Sequence, residues 1–319
     1  MCTYNGEKYL QAQLDSIASQ TRLPDELIIC DDNSSDRTIN IINDFAASTP
    51  FPVTLHINGR NIGSTKNFEH AIGFCNSDIT VLSDQDDVWH SDKLELVEKT
   101  FLMFEKNAGG VFTNGNVVDD NLSPLGYTLW DTHGFTKKYK SDFMAGKAFE
   151  TLLNRNIITG ATFAFQTKLR DLFMPIPDNW VHDEWIAILI SMQSRIIFLD
   201  RCLIEYRQHD KQQIGSAKNN LFTRIASAIS VDSYNPDIHA YEQLIQHLEH
   251  LRITDKNYFT GKITDKVRHL HARNSIYDSN LFNKISIIKR ELLSKRYYYY
   301  SSGYLSAIKD LLYIKRKDR

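Results

Sequence analysis

The chain has 319 residues, 42% hydrophobic and 24% charged, ordinary values for a globular protein with room for a substantial core. A formal net charge of −2 excludes the broad basic field of a nucleic-acid binder. Four scattered cysteines with no CxxC pair exclude a zinc ribbon or a disulfide framework and suit a reducing compartment, and no apolar run reaches the ~18 residues that span a bilayer.

The segment Cys2–Glu7 reads as a turn running into a helix that buries Leu10, Leu14 and Ile17, with no strand ahead of it. Glu26–Cys30 is a short apolar run, hence a strand, followed by the acidic loop Asp31–Asp36 that can cap the next helix. That helix buries Ile41, Ile42 and Phe45. Val53–Ile57 reads as a strand, Ser64–Phe74 as a helix and Ile79–Leu82 as a strand ending in Asp84-Gln85-Asp86-Asp87. A helix from about Ser91 to Glu105 and a strand at Val111–Thr113 follow. Repeated strand–helix–strand units predict a parallel sheet covered by helices, with ligands outside the carboxyl ends of the strands. Both acidic loops follow strands and so fall on that edge. From about Gly115 to Gly215 the pattern is less regular, and beyond Gly215 it is mainly helical.

Asp84 and Asp86, two apart at a strand end, can hold a hard divalent cation bridging two phosphates. Taken alone, such a cluster is more often a solvated turn. Asp31–Asp36 can accept hydrogen bonds from a base or ribose, or simply cap a helix. Tyr4 can offer its ring to a base. Asn61–Asn67 can bring backbone N–H groups and Lys66 to phosphate, or merely start a helix. In His182-Asp183-Glu184-Trp185 either acid can serve as general base on chemistry alone. Tyr206-Arg207-Gln208-His209 supplies an arginine for phosphate and a histidine for phosphate or metal. Trp130, Trp180 and Trp185 can line a sugar or, singly, more often fill a core.

Taken in order, Thr-Tyr-Asn-Gly, Cys-Asp-Asp-Asn-Ser-Ser-Asp, Asn-Ile-Gly, Ser-Asp-Gln-Asp-Asp-Val-Trp, His-Asp-Glu-Trp and Tyr-Arg-Gln-His resemble the family 2 glycosyltransferases of GT-A fold, and among them the bacterial rhamnosyltransferase-like enzymes. The resemblance spans about Met1 to Gly215. It implies that Thr3, Tyr4 and Asp32 hold the nucleotide base, that Asp84 and Asp86 form the DxD pair with Asp86 the direct metal ligand, that Asp183 is the catalytic base and that His209 completes metal coordination. It also implies an inverting transfer, with the acceptor oxygen attacking in line as the diphosphate departs. One departure stands out. Members begin with an apolar strand before Thr-Tyr-Asn, and its lack predicts either missed upstream sequence or a fragment, with activity in question if the chain begins at Met1.

The expected architecture is therefore an α/β GT-A domain over 1–215, with a nucleotide-sugar-binding half at 1–110 and an acceptor half at 111–215, plus a helical, basic extension over 216–319. Expected partners are a nucleotide-diphosphate sugar, which the resemblance implies is dTDP-rhamnose, a glycan or lipid-linked glycan acceptor, and Mg²⁺ or Mn²⁺. No nucleic acid is expected. A sugar-nucleotide nucleotidyltransferase is the rival enzyme, but it wants a Gly-rich basic phosphate loop near the N-terminus. A glycan-binding protein with a decayed site is the non-enzymatic rival, and intact Asp86, Asp183 and His209 oppose it. Between Leu281 and Arg319 ten Lys/Arg stand against three acids, among apolar residues at helical spacing. Such a tail suits an anionic membrane surface, and predicts a cytoplasmic protein peripheral at the inner face of the plasma membrane. A helix packed on the protein with solvated cations is the competing expectation.

Overall fold

The computed structural model describes residues 1–104, 107–209 and 233–312. The chain divides into two compact units. One comprises Met1–Ala148 and Ile157–Lys218, the other Phe149–Asn156 and Asn219–Arg319.

In the first unit, β1 (Cys2–Thr3), α1 (Leu10–Ala18), β2 (Leu27–Asp31), α2 (Thr38–Ser48), β3 (Val53–Ile57) and α3 (Ser64–Phe74) alternate. The three strands pair in parallel, in the order β1-β2-β3. All five residues of β2 are buried, as an apolar central strand requires. Leu10, Leu14 and Ile17 of α1 share a buried cluster with Leu27, Ile29, Ile42 and Phe45. Truncating one of these, Leu14→Ala for instance, costs ~2–5 kcal/mol.

A strand does precede Tyr4, which corrects the reading of that segment as turn alone. Cys2 registers with Cys30 and Thr3 with Asp31. The terminal amine of Met1 donates to Ile28 O at 2.8 Å, and Cys30 N donates to Met1 O at 3.0 Å. Two strand residues are too few for any period-2 pattern to register.

The chain continues through β4 (Ile79–Val81), β5 (Val88–Trp89), α4 (Lys93–Phe104), β6 (Ala108–Val118), β7 (Pro124–Thr128), α5 (Leu129–His133), α6 (Lys137–Met144), α7 (Ala148–Asn154), β8 (Phe163–Gln166), α8 (Arg170–Phe173), α9 (His182–Gln193) and β9 (Arg195–Arg207). These strands form a second sheet, β4-β8-β6-β9-β5, with β7 on β6. Only β6 and β9 run parallel in it, whereas β8 is antiparallel to both β4 and β6. The uniform parallel pattern thus holds for the first half, and β8 inserts from the irregular middle. A backbone bond from Cys2 N to Ser83 O at 3.3 Å links the end of β4 to the first sheet. The expected division at residue 110 falls inside β6, and the boundary at 215 lies outside the described residues. Trp130, Trp180 and Trp185 are buried, with Trp130 Nε1 donating to Thr113 O and Trp185 Nε1 to Phe173 O. They fill the core and do not line an open wall.

The second unit contains α10 (Asn235–His250), α11 (Lys256–Ile276), α12 (Leu281–Leu293), α13 (Arg296–Tyr300) and α14 (Tyr304–Leu312). Ile276, Ile288, Tyr297 and Ala307 make its core. Arg273 forms a two-pronged pair with Asp310, at 2.7 and 2.8 Å, and His269 Nδ1 lies 2.9 Å from Glu291 Oε2. Asn154 Nδ2 donates to the carbonyls of Tyr298, Tyr299 and Ser301, which ties Phe149–Asn156 to this unit. The basic tail is therefore partly structural, because both acids between 281 and 312, Glu291 and Asp310, are buried. Its cations Lys315, Arg316, Lys317 and Arg319, with Ile314 and Asp318, lie outside the described residues.

Candidate active site

The loop Ser83–Asp87 leaves β4 and enters β5 at the carboxyl edge, as the strand pattern requires. Its middle residue, Gln85, grips the N-terminal loop: Tyr4 N donates to Gln85 Oε1 at 2.9 Å and Gln85 Nε2 donates to Tyr4 O at 3.0 Å. Gly6 makes this approach possible, since a Cβ there would lie 2.2 Å from Gln85 Oε1. Asp86 Oδ2 meets His209 Nε2 at 2.9 Å, although 123 residues separate them in the chain. The Tyr9 ring lies tilted against His209, centroids 4.7 Å apart, and its hydroxyl donates to Asp120 Oδ1 at 2.7 Å. Arg207 closes the loop from the end of β9. Its backbone N donates to Asp87 Oδ1 at 3.2 Å, its Nε to Asp86 O at 2.9 Å and its Nη1 to Asp120 O.

Asp183 sits in the first turn of α9, buried to 8% exposure. Gly160 N donates to its Oδ2 at 2.7 Å, while its Oδ1 is enclosed without a partner. Burial lifts this carboxyl to about 7, against the opposing pull of the Gly160 N–H. Burial, then the negative charges of Asp86 and Asp183, lifts Asp84 to about 7 as well. Asp84 is thus close enough to feel both Asp86 and Asp183. His182 is neutral, its pKa pushed down to about 3 by burial, and its ring stacks on Phe68 at 3.9 Å. Gly160 again admits no side chain: a Cβ would lie 2.9 Å from His182 Nε2 and 3.4 Å from Asp183 Oδ2.

The base-binding candidates occupy the neighbouring strand ends. Thr3 is buried and its hydroxyl donates to Asp31 Oδ2 at 2.6 Å, so its side chain braces β2. Asp32 accepts from Asn58 Nδ2, Ile62 N and Gly63 N at 2.8–2.9 Å, which fixes the Asn61–Gly63 turn. That uses three of the roughly four acceptor positions of a carboxylate and leaves one for a further N–H. Tyr4 keeps 43% exposure beside them. Lys66 points its ammonium to Glu69 Oε2 at 2.9 Å and to Ile176 O at 2.5 Å. Among the described contacts none joins Lys66 to the acidic loop. The N-cap of α2 is Arg37, with no side-chain cap bond, and Asp36 one position before it accepts from Thr38 N at 2.9 Å.

Sequence reasoning did not mark Gln85, Gly160 or Lys93. Lys93 opens α4 and is fully buried; its Nζ donates to Ala161 O at 2.8 Å and stands 3.8 Å from the centre of the Trp89 ring. A glutamine between two acids and a lysine at a helix start both look like surface residues. Only the spacing of Gln85 opposite a glycine-containing turn offered a signal.

This architecture, nucleotide-type parallel strands joined to a mixed sheet with carboxylates at their junction, is the GT-A fold. The Staphylococcus aureus TarS 1–349 structure in complex with UDP superposes with a TM-score of 0.55 at 15% identity, covering 97% of this chain and 87% of that one. The longer S. aureus TarS structure gives a TM-score of 0.56 at 14% identity, covering 90% of this chain and 48% of that one. The family model for glycosyl transferase family 2 matches residues 1–170, and the chain belongs to that family. It is a glycosyltransferase. The dTDP-rhamnosyl transferase RfbG of Shigella flexneri is 27% identical over 266 residues, which is 73% of this chain and 86% of that protein. An uncharacterised protein of Mycobacterium tuberculosis is 37% identical over 216 residues, 65% of this chain and 57% of that protein.

Proposed function

We propose that the chain transfers a sugar from a nucleotide-diphosphate donor to a glycan or lipid-linked glycan hydroxyl with inversion, in cell-surface polysaccharide synthesis. The observation that carries this reading is the gathering of Asp84, Asp86 and His209 beside a buried carboxylate, Asp183, whose pKa is lifted to about 7. A general base works best when its pKa lies near the working pH. Asp183 takes the proton of the acceptor hydroxyl while that oxygen bonds to the anomeric carbon. The bond from that carbon to the diphosphate breaks, and the diphosphate leaves with the electron pair. Tyr4 and Asp32 hold the base, Thr3 fixes their strand end, and Asp84 lies against the donor. Lys66, held by Glu69, must change partners to reach a phosphate.

A divalent cation fits the donor set. Asp86 and His209 present one carboxylate oxygen and one imidazole nitrogen, 2.9 Å apart and 15% and 11% exposed. A mixed O/N pair suits Mn²⁺ and also accepts Mg²⁺. Asp86 and His209 would be the protein groups that hold it, next to the donor diphosphate. When bound there it would neutralise charge developing on the departing diphosphate.

The sugar is proposed from the relative called a dTDP-rhamnosyl transferase. The lipid-linked acceptor follows the Escherichia coli relative named for glucosyl transfer to a GlcNAc-diphosphoundecaprenol, 28% identical over 121 residues. We assign residues 1–215 to the transferase, with 1–110 serving the donor and 111–215 the acceptor, and 216–319 to an extension that meets the membrane. No described helix is long and apolar enough to cross a bilayer. Leu281, Phe282, Ile285, Leu293, Leu305 and Ile308 are exposed on α12 and α14, beside the exposed cations Lys289, Arg290 and Lys295. Exposed apolar residues interspersed in sequence with exposed cations, with no exposed acid between 281 and 312, suit anionic lipid at a cytoplasmic face. A panel of nucleotide-diphosphate sugars, assayed for product with and without Mn²⁺, tests the transfer. Absence of product and of hydrolysis with every donor would overturn it.

A further inference from the structure

A fully buried lysine is rare and needs a reason. Lys93 has no exposed surface, and its recorded hydrogen bond is to Ala161 O, at 2.8 Å. The neighbouring residue, Gly160, is the one whose N–H holds Asp183 Oδ2 at 2.7 Å. The same ammonium feels the charges of Asp87 and Asp84. Lys93 therefore sits at the crossing of two parts that are far apart in sequence. On one side is the acidic loop expected to face the diphosphate, and on the other is the short turn Gly160–Thr162 that anchors the base. The Trp89 ring, 3.8 Å from Nζ, closes the remaining side.

We propose that Lys93 is a positioning residue for the transfer: it fixes the Gly160–Ala161 backbone so that the Asp183 carboxylate is held in one orientation relative to the acidic loop. This rests on the reading of Asp183 as the base. Three observations favour this role over a merely space-filling one. The side chain reaches a backbone carbonyl adjacent to the Asp183 anchor and not a surface acid. The turn it grips packs directly on His182 and Asp183, where a Cβ at Gly160 would lie 2.9 and 3.4 Å from Nε2 and Oδ2, so a shift of its backbone is felt at the Asp183 carboxyl. Burial draws the Lys93 ammonium down to about 7, yet it donates to Ala161 O with or without its extra proton.

The test compares Lys93→Met, which keeps length and apolar packing, with Asp183→Asn and with the double variant. Small misplacement of a reacting group lowers turnover by about 10- to 100-fold. Lys93→Met should lose kcat in that range and hold donor KM and nucleotide affinity within about twofold, since it removes an interaction felt in the transition state. In the double variant the Lys93 effect should vanish, because it acts through Asp183. Unchanged kcat in Lys93→Met, an equal loss of donor affinity, or a full additive loss on the Asp183→Asn background would each overturn the proposal. Near-normal turnover in Asp183→Asn would instead overturn the base assignment, and so separates the two failures. If Lys93→Met does not melt cooperatively, Lys93→Leu, which likewise carries no N–H donor to Ala161 O, gives the same readings.

Discussion

Asp183→Asn should make the protein less active and, at alkaline pH, more stable. In the folded chain the Asp183 carboxyl titrates at about 7, against an ordinary value of 3.8. Between those values the folded state keeps a proton that the unfolded chain has lost. The folded state then binds more protons, so stability falls as pH rises through this window and levels off above about 7. A shift of about three units corresponds to ~4 kcal/mol, an upper bound that local relaxation and water entry reduce. Asparagine is isosteric, keeps an oxygen for the Gly160 N–H and carries no charge at any pH. The stability difference between variant and wild type should therefore be near zero at pH 4 and grow to a plateau above pH 7, with ~1 kcal/mol raising the melting point by ~2–4 °C. Thermal unfolding without metal or donor, at a series of pH values, measures it. A difference that stays constant with pH, or that favours wild type at pH 8, would refute the idea that Asp183 is held as a buried, costly carboxyl. On the same substitution, turnover should fall by about 10²-fold or more while donor binding stays nearly intact.

The cation assignment predicts that Asp86→Ala abolishes Mn²⁺-dependent binding of a nucleoside diphosphate and that His209→Ala weakens it; titration calorimetry with and without Mn²⁺ reads this, and unchanged metal dependence in Asp86→Ala would remove Asp86 from the site. Gly160→Ala places a Cβ 2.9 Å from His182 Nε2, so kcat should drop by about 10-fold or more with donor affinity retained, and normal kinetics would show that the turn yields freely. Replacing Lys289, Arg290 and Lys295 with Glu should abolish co-sedimentation with phosphatidylglycerol vesicles at low salt, since each cation is worth about 1 kcal/mol at such a surface; equal binding by the variant, or no binding by the wild type, counts against the membrane role. Charge reversal is preferred to truncation at Asn280, because Ile288, Tyr297 and Ala307 belong to the core of that unit.

The elements that were legible are those whose pattern is local. Val53–Ile57 and Ser64–Phe74 appear with the boundaries that their periodicity predicts, and the helix after Asp36 starts at Thr38, whose N–H donates to Asp36. The pairing of Asp86 with His209 was legible only through motif order, because no periodicity links residues 123 positions apart. The antiparallel insertion of β8 was not legible. Phe163–Gln166 is a four-residue strand, and nothing within it says which strands it joins. Hydrophobic alternation fixes a strand's face, while partner choice is decided by the rest of the chain. The segment Met1–Thr3 was misread for the opposite reason, being too short to show a pattern at all.

His182-Asp183-Glu184-Trp185 presents the harder case. On sequence alone it suited a surface turn as well as a functional group. In the fold His182, Asp183 and Trp185 are buried at the start of α9, next to a glycine that cannot carry a side chain. The acidic loop repeats this logic, with Asp87 fully buried and its Oδ2 unpartnered, and with Lys93 enclosed below. Each of these groups opposes folding, since enclosed polar atoms lose their water without full replacement. A sequence that only needed stability would have apolar residues at such positions. The surrounding core of Leu10, Leu14, Ile29 and Ile42 supplies the excess that tolerates them. Local conflict with folding rules, concentrated at one edge of an otherwise consistent fold, is what a site shaped for chemistry looks like. It also explains why Lys93, silent in any pattern, is best found by asking which buried charges the fold has no structural need to keep.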